Sequence, residues 1–283
     1  MSETIIEFKN VWFTYDKEVT ALRGINLKIQ RGERIALIGQ NGSGKTTLAK
    51  HMNGLLKPST GDVIVKRFNT KTTPTHIITN IVGYVFQNPV HQIFMKSVYE
   101  EVSYGPKNQG LPEDEVNRRV KNALEMVGLS GYENYHPHDL NYGQMKLLTI
   151  ATIIAMDPEV YVLDEPTSGQ DHRGRRKIMK LIDTISREGK TIIIITHDMR
   201  FVAETVERTI LMSRGEIVAD GPTKEVFLET ELLQKTAIKP PQIVQLCSEL
   251  KRGGLNFDCI TLHEAFDEFA KYFKEVKLKE KNY

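Results

Sequence analysis

The chain has 283 residues, 40% of them hydrophobic, which suffices to bury one substantial core and a smaller appended module. Its 38 lysine and arginine residues nearly balance its 36 aspartate and glutamate residues, and no block of like charge is long enough to serve as a nucleic-acid arm, so nucleic acid is not a favoured partner. The start of the chain lacks the pattern of a leader peptide, and the longest aliphatic run, residues 192–195, is far too short to cross a bilayer, so any membrane association is expected to be peripheral.

Two alternating segments near the start predict an antiparallel pair of strands. Apolar residues alternate with other residues over 5–15 and again over 21–29. Tyr15 lies at the tip of the first segment, where an aromatic ring can stack on a purine or merely cover the core. The pattern alone leaves both roles open.

A glycine-rich segment, residues 39–46 (GQNGSGKT), follows an apolar run that reads as a buried strand. It matches a P-loop, in which glycines let successive backbone N–H groups curl around phosphates, and the residues after it suit a helix with its positive end toward the anion. The expected nucleotide-binding residues here are Gly39, Asn41, Gly42, Ser43, Gly44, Lys45, Thr46 and Thr47. In this role Lys45 contacts the β- and γ-phosphates, and the Thr46 hydroxyl is a ligand for Mg²⁺.

Three further strands are predicted to bring polar residues to one edge of a sheet. Strands over 81–86, 160–163 and 191–196 end at Gln87, at Asp164 and Glu165, and at His197. α/β sheets present ligand groups at this carboxyl edge. Asp164 can hold hydrated Mg²⁺ while Glu165 polarises the attacking water, and the imidazole of His197 can donate to a γ-phosphate oxygen.

Two helices are predicted between these strands. Residues 112–127 carry acids in the first turn and apolar residues on one face, and Gly128 closes the helix. Residues 140–144 (LNYGQ) precede a second helix that runs to Met156, and Asn141 is suited to cap it. A capped helix end can grip phosphate, although this pentapeptide taken alone favours an ordinary capped core helix.

With these motifs in this order, the first 225 or so residues resemble the nucleotide-binding subunit of ABC transporters. The resemblance implies an α/β P-loop NTPase fold with an antiparallel β subdomain, a helical subdomain at about 88–158 and a small C-terminal helical module at 226–283. It also implies an ATPase that uses ATP and Mg²⁺. Because the nucleotide of this family lies between two subunits, it implies a second ATPase subunit, either identical or related.

The same resemblance implies roles for individual residues. Tyr15 stacks on adenine, Gln87 belongs to the Q-loop near the reaction and the metal, and residues 140–144 are the signature segment. Asn141, Gly143 and Gln144 of that segment then contact ATP. Asp164 is the Walker B acid with Glu165 as catalytic carboxylate, residues 168–171 are the D-loop, and His197 is the switch.

A narrower resemblance lies in residues 86–94 (FQNPVHQIF), 98–106 (VYEEVSYGP) and 239–244 (KPPQIV). These segments are similar to the ATPase subunits of energy-coupling factor transporters and related cobalt or nickel importers. The resemblance implies that ATP hydrolysis drives uptake of a vitamin or transition-metal ion. It also implies a transmembrane coupling subunit and a substrate-binding membrane subunit as partners, at the cytoplasmic face of the cell membrane.

Four positions depart from the family pattern. Asn141 and Tyr142 stand where Ser and Gly are usual, Leu147 occupies a position that is often basic, and Gln170 replaces a usual apolar residue. Asn141 can still bond to phosphate and the N–H of Gly143 is retained, so a working signature is expected. The bulk of Tyr142 is expected to slow closure of the dimer.

The C-terminal region carries a capping-box pattern at residues 261–264 and then a stripe of apolar residues at helical spacing. The stripe consists of Leu262, Phe266, Phe269, Phe273 and Val276. It can pack on its own domain or contact another subunit. Two cysteines, Cys247 and Cys259, lack metal-ligand spacing and are expected to be reduced and packed.

Two other functions fit parts of the pattern. DNA-repair and chromosome-organising ATPases share these motifs, but they carry a long coiled coil between P-loop and signature, and residues 45–140 hold no extended heptads. A nucleotide-gated interaction module would bind ATP without turning it over. Phosphate release in the presence of a membrane partner separates such a module from a motor.

Overall fold

The computed structural model describes residues 3–16 and 18–280. The strands are β1 Thr4–Tyr15, β2 Val19–Gln30, β3 Arg34–Gly39, β4 Thr60–Val65, β5 Phe68–Asn69, β6 Val82–Val85, β7 Val160–Asp164, β8 Thr191–Ile195, β9 Arg208–Ser213 and β10 Glu216–Pro222. The helices are α1 Lys45–Met52, α2 Thr75–Thr79, α3 Val98–Asn108, α4 Glu113–Val127, α5 Tyr142–Met156, α6 His172–Arg187, α7 Met199–Thr205, α8 Thr223–Leu228, α9 Thr230–Lys235, α10 Gln242–Arg252 and α11 Leu262–Glu280.

The strands form two sheets. The first has the order β2-β1-β4-β5 and is antiparallel, as the alternating segments at the start of the chain predict. The second has the order β10-β9-β3-β8-β7-β6, and its strands are parallel except for β10, which is antiparallel to β9. The P-loop strand β3 therefore lies at its centre, and the predicted α/β P-loop fold with an antiparallel β subdomain is confirmed.

Strand β3 separates two apolar cores because successive side chains of a strand point to opposite faces. Ile35 and Leu37 belong to a core shared with the four-stranded sheet and α1. Ala36 and Ile38 belong to a core shared with α3 to α7. The larger sheet is thus covered on both faces, which leaves its carboxyl edge as the open end.

A helical subdomain consists of α3, α4 and α5, which pack on one another. Helix α4 carries acids in its first turn and ends at Gly128 in a left-handed conformation, as predicted. The longest helix between Lys45 and Leu140 is α4, with 15 residues, so this region lacks the long coiled coil of the chromosome-organising ATPases. Helix α3 had no sequence-based prediction.

The C-terminal helices α8 to α11 continue the core that lies under α7. Cys247 and Cys259 are both free and buried there, as predicted. Phe269 contacts Phe257 edge-on with 4.6 Å between ring centroids, so packing on its own domain accounts for this member of the stripe.

The remaining described members of the stripe, Leu262, Phe266 and Phe273, are exposed, and the side chain of Val276 lies outside the described residues. At the start of α11, Thr261 Oγ1 accepts from Glu264 N at 3.2 Å, as a capping box requires. The Glu264 carboxylate accepts from Ile260 N at 2.8 Å, whereas in a capping box it would accept from the N–H of Thr261. None of the helices in residues 3–16 and 18–280 combines the length and apolarity that a membrane span needs.

Candidate nucleotide-binding and hydrolysis site

A cavity of about 400 Å³ opens at the carboxyl ends of β7 and β8, beside the P-loop. The predicted residues that line it are Tyr15, Asn41, Gly42, Gly44, Lys45, Thr46, Thr47, Gln87, Asp164 and Glu165. Parallel strands bring the last three to this edge from distant parts of the sequence. A second cavity, of about 330 Å³, lies between α7 and the C-terminal module; its lining includes Asp198, which directly follows His197, and Ile243.

The P-loop has the tight backbone that its glycines permit. Gly44 precedes α1 with φ +103°, and a Cβ atom there would lie 2.6 Å from the carbonyl oxygen of Ala21. A side chain would therefore push the loop away from β2 and disrupt the start of α1. The open N-terminus of α1 leaves backbone N–H groups for an anion.

Lys45 folds back across the P-loop. Its Nζ donates to the carbonyl oxygens of Gly39 at 2.7 Å and Gln40 at 2.8 Å, and it lies 3.4 Å from Ser43 Oγ. Burial lowers the pKa of Lys45, while the negative charges of Glu165 and Asp164 oppose that shift. The ammonium group is held by neutral acceptors at the place where a P-loop lysine meets phosphate.

Asp164 lies beside Thr46 at the bottom of the cavity. Its Oδ2 accepts from Thr46 Oγ1 at 3.3 Å and from the Tyr84 hydroxyl at 2.9 Å. Burial raises the pKa of Asp164, and the hydrogen bonds from Tyr84 and Thr46 oppose that rise.

The residues present fit a magnesium ion that arrives with phosphates. In the described part of the chain, no cluster of three His, Cys, Asp or Glu side chains could hold a metal alone. Mg²⁺ usually takes one or two protein oxygens and fills its remaining positions with water and phosphate oxygens. The Thr46 hydroxyl and the Asp164 carboxylate would supply those protein oxygens.

Glu165 is held from two sides at the end of β7. Its Oε2 accepts from Thr196 Oγ1 at 3.1 Å, and its Oε1 lies 2.7 Å from Nδ1 of His197. The Glu165 backbone has φ +48°, which turns the carboxylate out of the direction of the strand. The His197 side chain is 79% exposed, so the imidazole lies at the rim and the carboxylate lies inside.

Lys146 is a site residue that the sequence analysis missed. It lies on α5, is fully buried, and donates from Nζ to the carbonyl oxygens of Phe86 at 2.8 Å, Gln87 at 2.9 Å and Asp164 at 2.8 Å. Burial lowers its pKa to about 8, although Asp164 and Glu165 attract its charge. The sequence did contain a signal for its burial, because Lys146 precedes an apolar stretch of the predicted helix.

The signature segment lies outside the cavity. Asn141 Oδ1 accepts from Gln144 N at 2.9 Å, and Gln144 Oε1 accepts from Asn141 N at 3.0 Å, so the two side chains form a capping box at the start of α5. The predicted cap is confirmed. Neither residue lines the cavity of the same chain, nor does Gly143 between them.

Tyr15 lies at the mouth of the cavity. Its hydroxyl is 3.2 Å from Thr47 Oγ1, and its ring meets Phe13 edge-on at 4.7 Å between centroids. The ring is partly exposed, so it does not simply cover the core. Stacking on adenine stays a prediction.

Comparison with known proteins gives one family. The family model described as "ABC transporter" matches residues 22–168. The chain is 43% identical over 267 residues to the energy-coupling factor transporter ATP-binding protein EcfA of Methanothermobacter thermautotrophicus, with 93% of this chain and 86% of that protein covered. It is 42% identical to the protein of the same name from Methanocaldococcus jannaschii, with 96% and 99% covered.

Two solved structures of ATP-binding proteins are also similar to this chain. The structure of cbiO1 from Clostridium perfringens, part of the ABC transporter complex cbiONQ, is 39% identical with a TM-score of 0.73, and 86% of this chain and 98% of that chain are covered. The ATP-binding cassette MJ0796, solved as a dimer in a post-hydrolysis state with ADP and Pi, is 28% identical with a TM-score of 0.70. That comparison covers 77% of this chain and 98% of the other.

Proposed function

The chain belongs to the ABC transporter ATP-binding proteins, and within them to the energy-coupling factor type, and from that premise we propose that it hydrolyses ATP to drive solute uptake through membrane subunits. The solute class proposed is a vitamin or a transition-metal ion. The proposal rests mainly on one observation: the predicted site residues lie on two separate surfaces of the chain. One is the cavity that holds Lys45, Asp164 and Glu165, and the other is the signature segment.

ATP binding in this proposal uses the P-loop amides and Lys45. The ammonium group exchanges its two neutral carbonyl acceptors for charged phosphate oxygens, which form stronger hydrogen bonds. Tyr15 stacks on adenine at the mouth of the cavity. Thr46 and Asp164 would hold Mg²⁺, whose charge would partly neutralise that of the phosphates.

Hydrolysis requires a base that takes a proton from water. Glu165 is the proposed base because its carboxylate is buried at the cavity edge and oriented by Thr196 and His197. With Nδ1 of His197 next to Glu165, Nε2 remains available to a γ-phosphate oxygen, to which it donates when both ring nitrogens carry protons. Gln87 lines the same cavity, and we propose that its amide positions the water and the metal.

The site is complete only with a second subunit in this proposal. Asn141, Gly143 and Gln144 lie outside the cavity of their own chain, so they are free to contact ATP bound to a partner. The partner's signature then closes this chain's cavity. A monomer is expected to be nearly inactive.

An exposed apolar patch beside the Q-loop is the proposed docking face for the membrane coupling subunit. It consists of Val90, Phe94 and Tyr104, and Phe94 is 62% exposed with its ring 5.0 Å from that of Tyr104. Because Phe94 follows Gln87 by only seven residues, docking there can couple to the nucleotide cavity. This contact would hold the chain at the cytoplasmic face of the membrane.

The test is the variant Glu165→Gln in the complex isolated from membranes. The amide cannot accept the proton, so we expect the turnover rate to fall by about 10²- to 10⁴-fold while ATP binding persists. The matched control is Glu159→Gln. Glu159 lies immediately before β7, at the opposite edge of the sheet, so this variant should hydrolyse ATP nearly as fast as the wild type. Parent-like turnover by Glu165→Gln, or a chain that co-purifies with DNA instead of membrane subunits, would contradict the proposal.

A further inference from the structure

Two of the residues that depart from the family pattern, Tyr142 and Gln170, each contact the segment that carries the other. Gln170 of the D-loop donates from Nε2 to the carbonyl oxygen of Gly143 in the signature segment at 2.9 Å. Tyr142 of the signature segment packs on Gly169 of the D-loop. The two contacts join segments that are 27 residues apart in the sequence.

The contact between Tyr142 and Gly169 is close enough to require glycine. A Cβ atom at Gly169 would lie 2.4 Å from Cδ1 and 2.7 Å from Cε1 of the Tyr142 ring, and the backbone there has φ +72°. The aromatic ring therefore occupies the place that a side chain at position 169 would fill. Tyr142 adds bulk to the signature segment, and the D-loop accommodates that bulk.

The Gln170 amide lies between the signature segment and α6. Its Nε2 donates to the Gly143 carbonyl oxygen, and its Oε1 occupies the space that a side chain at Gly174 would fill, 2.2 Å from the position of a Cβ atom there. Gly174 is in the first turn of α6, where its N–H donates to Asp171 Oδ1 at 2.7 Å. An apolar side chain at position 170 would lose the bond to the signature segment.

We propose that these two contacts form a loop clasp, defined as Tyr142 on Gly169 and Gln170 on Gly143, which makes the signature segment and the D-loop move as one unit. Tyr142 and Gln170 are then positioning residues for hydrolysis. The signature segment begins α5 of the helical subdomain, whereas the D-loop starts three residues after Glu165. Ser168 N donates to the Glu165 carbonyl at 3.2 Å, so the clasp connects the helical subdomain to the backbone of the proposed base.

The clasp is also exposed to solvent, so it lies where a second subunit could contact it. The Tyr142 side chain is 39% exposed and Gln170 is partly exposed, so neither belongs to a core that the fold needs. Removing either contact should change coupling between the two segments and leave the fold intact. The role in hydrolysis depends on the proposed function, but the coupling of the two segments can be tested without it.

The first test measures hydrogen exchange of backbone amides 167–174 in the purified chain. Tyr142→Ala removes the ring, and Tyr142→Phe is the matched control that keeps it. We expect about tenfold faster exchange in 167–174 for Tyr142→Ala, wild-type exchange for Tyr142→Phe, and unchanged exchange in the P-loop for both. Equal exchange in the Ala and Phe variants would overturn the clasp, whatever the transport function proves to be.

The second test measures steady-state ATP hydrolysis in the isolated complex. We expect Tyr142→Ala and Gln170→Met, which has similar length but cannot donate, each to lower kcat on the order of tenfold with little change in KM. The double variant should be no slower than the slower single variant, because each substitution alone already disrupts the clasp. Effects that multiply would overturn the proposal, whereas loss of activity only in Glu165→Gln would retain the proposed function and reject the clasp.

Discussion

Lys146 carries a positive charge into the protein interior behind the nucleotide cavity. Its three acceptors are main-chain carbonyls of Phe86, Gln87 and Asp164, which lie at the carboxyl ends of β6 and β7. One side chain of α5 therefore holds the two strand ends that carry Gln87 and Asp164. The charge is retained because three good hydrogen bonds compensate its burial.

We predict that Lys146→Met destabilises the protein by about 3 kcal/mol, because three main-chain carbonyls, that of Asp164 buried, lose their donor at once. Unfolding in urea measures this change. The matched control is Leu147→Met on the same helix, which conserves volume in the core and should cost less than about 1.5 kcal/mol. Equal stability of the two variants would mean that the three hydrogen bonds contribute nothing net.

The sequence analysis predicted most of the residues that line the cavity but missed Lys146 for a physical reason. Strand ends carry their polar residues to a fixed edge, so Gln87 and Asp164 could be placed without coordinates. A lysine on a helix is normally exposed, and only the depth of α5 in the fold reveals that this one is not. The same depth explains Leu147, which replaces a usual basic residue and packs in the core.

Helix α3 and the loop before it show how one buried carboxylate shapes an exposed surface. Glu101 lies in the first turns of α3, is buried, and accepts from Phe94 N at 3.0 Å and Met95 N at 2.8 Å through one oxygen. The two amides are satisfied while the Phe94 ring is left in solvent. The position of the proposed docking patch therefore depends on Glu101.

We predict that two substitutions of Glu101 differ in how much they destabilise the folded protein. Glu101→Gln keeps an oxygen that can accept from both amides, whereas Glu101→Leu leaves them unsatisfied and should cost about 3 kcal/mol. The Leu variant should also co-purify less with membrane subunits, because the Phe94 loop is released. Similar behaviour of the two variants would show that the acceptor oxygen does not hold the loop.

The stability of the wild type relative to Glu101→Gln should depend on pH. Burial raises the pKa of Glu101 above its ordinary value of 4.5, despite the hydrogen bonds from Met95 and Phe94. The folded state thus keeps the proton to higher pH than the unfolded state does. The wild type should lose stability relative to Glu101→Gln as pH rises from about 4.5 through the raised pKa, and urea unfolding over that window measures the loss.

Sequence periodicity predicted α4 and α5 but not α3, because α3 contains two residues that argue against a helix. Gly105 and Pro106 lie in its last turn. Packing explains the glycine, since a Cβ atom there would lie 2.4 Å from Met156 Cγ. Pro106 has no N–H to donate to the carbonyl of Val102, four residues earlier, so it costs the helix one hydrogen bond. Tertiary contact with α5 outweighed local propensity.

At the scale of the whole molecule, residues 3–16 and 18–280 leave two surfaces open besides the proposed docking patch. One comprises the cavity and the signature segment, which the proposed function pairs with a second ATPase subunit. The other is the exposed part of the α11 stripe, where Phe266 is 72% exposed. The sequence left open whether the stripe packs inward or meets another subunit, and only Phe269 of its described members packs inward. A contact between subunits stays a prediction for the rest.

Because the cavity and the signature segment of one chain should serve different nucleotides, differently damaged chains should complement each other. Lys45→Ala disables the cavity, and Gly143→Asp places a carboxylate in the signature segment, where its negative charge should repel phosphate; a Cβ atom at position 143 makes only ordinary contacts at 3.4 Å. Mixed dimers of these two variants, selected with two affinity tags, should keep one intact site and about half of the wild-type turnover. Each variant alone should be inactive.

The decisive control places both substitutions in one chain and pairs it with wild type. If ATP is shared between subunits, both sites of that dimer lack one half, so it should be inactive although it contains an undamaged chain. If each chain hydrolyses ATP with its own signature, the result reverses: this pair is active and the mixed single variants are not. If the two tags never purify together, the second subunit is a related chain rather than a copy, and the same substitutions can then be distributed between the two different subunits.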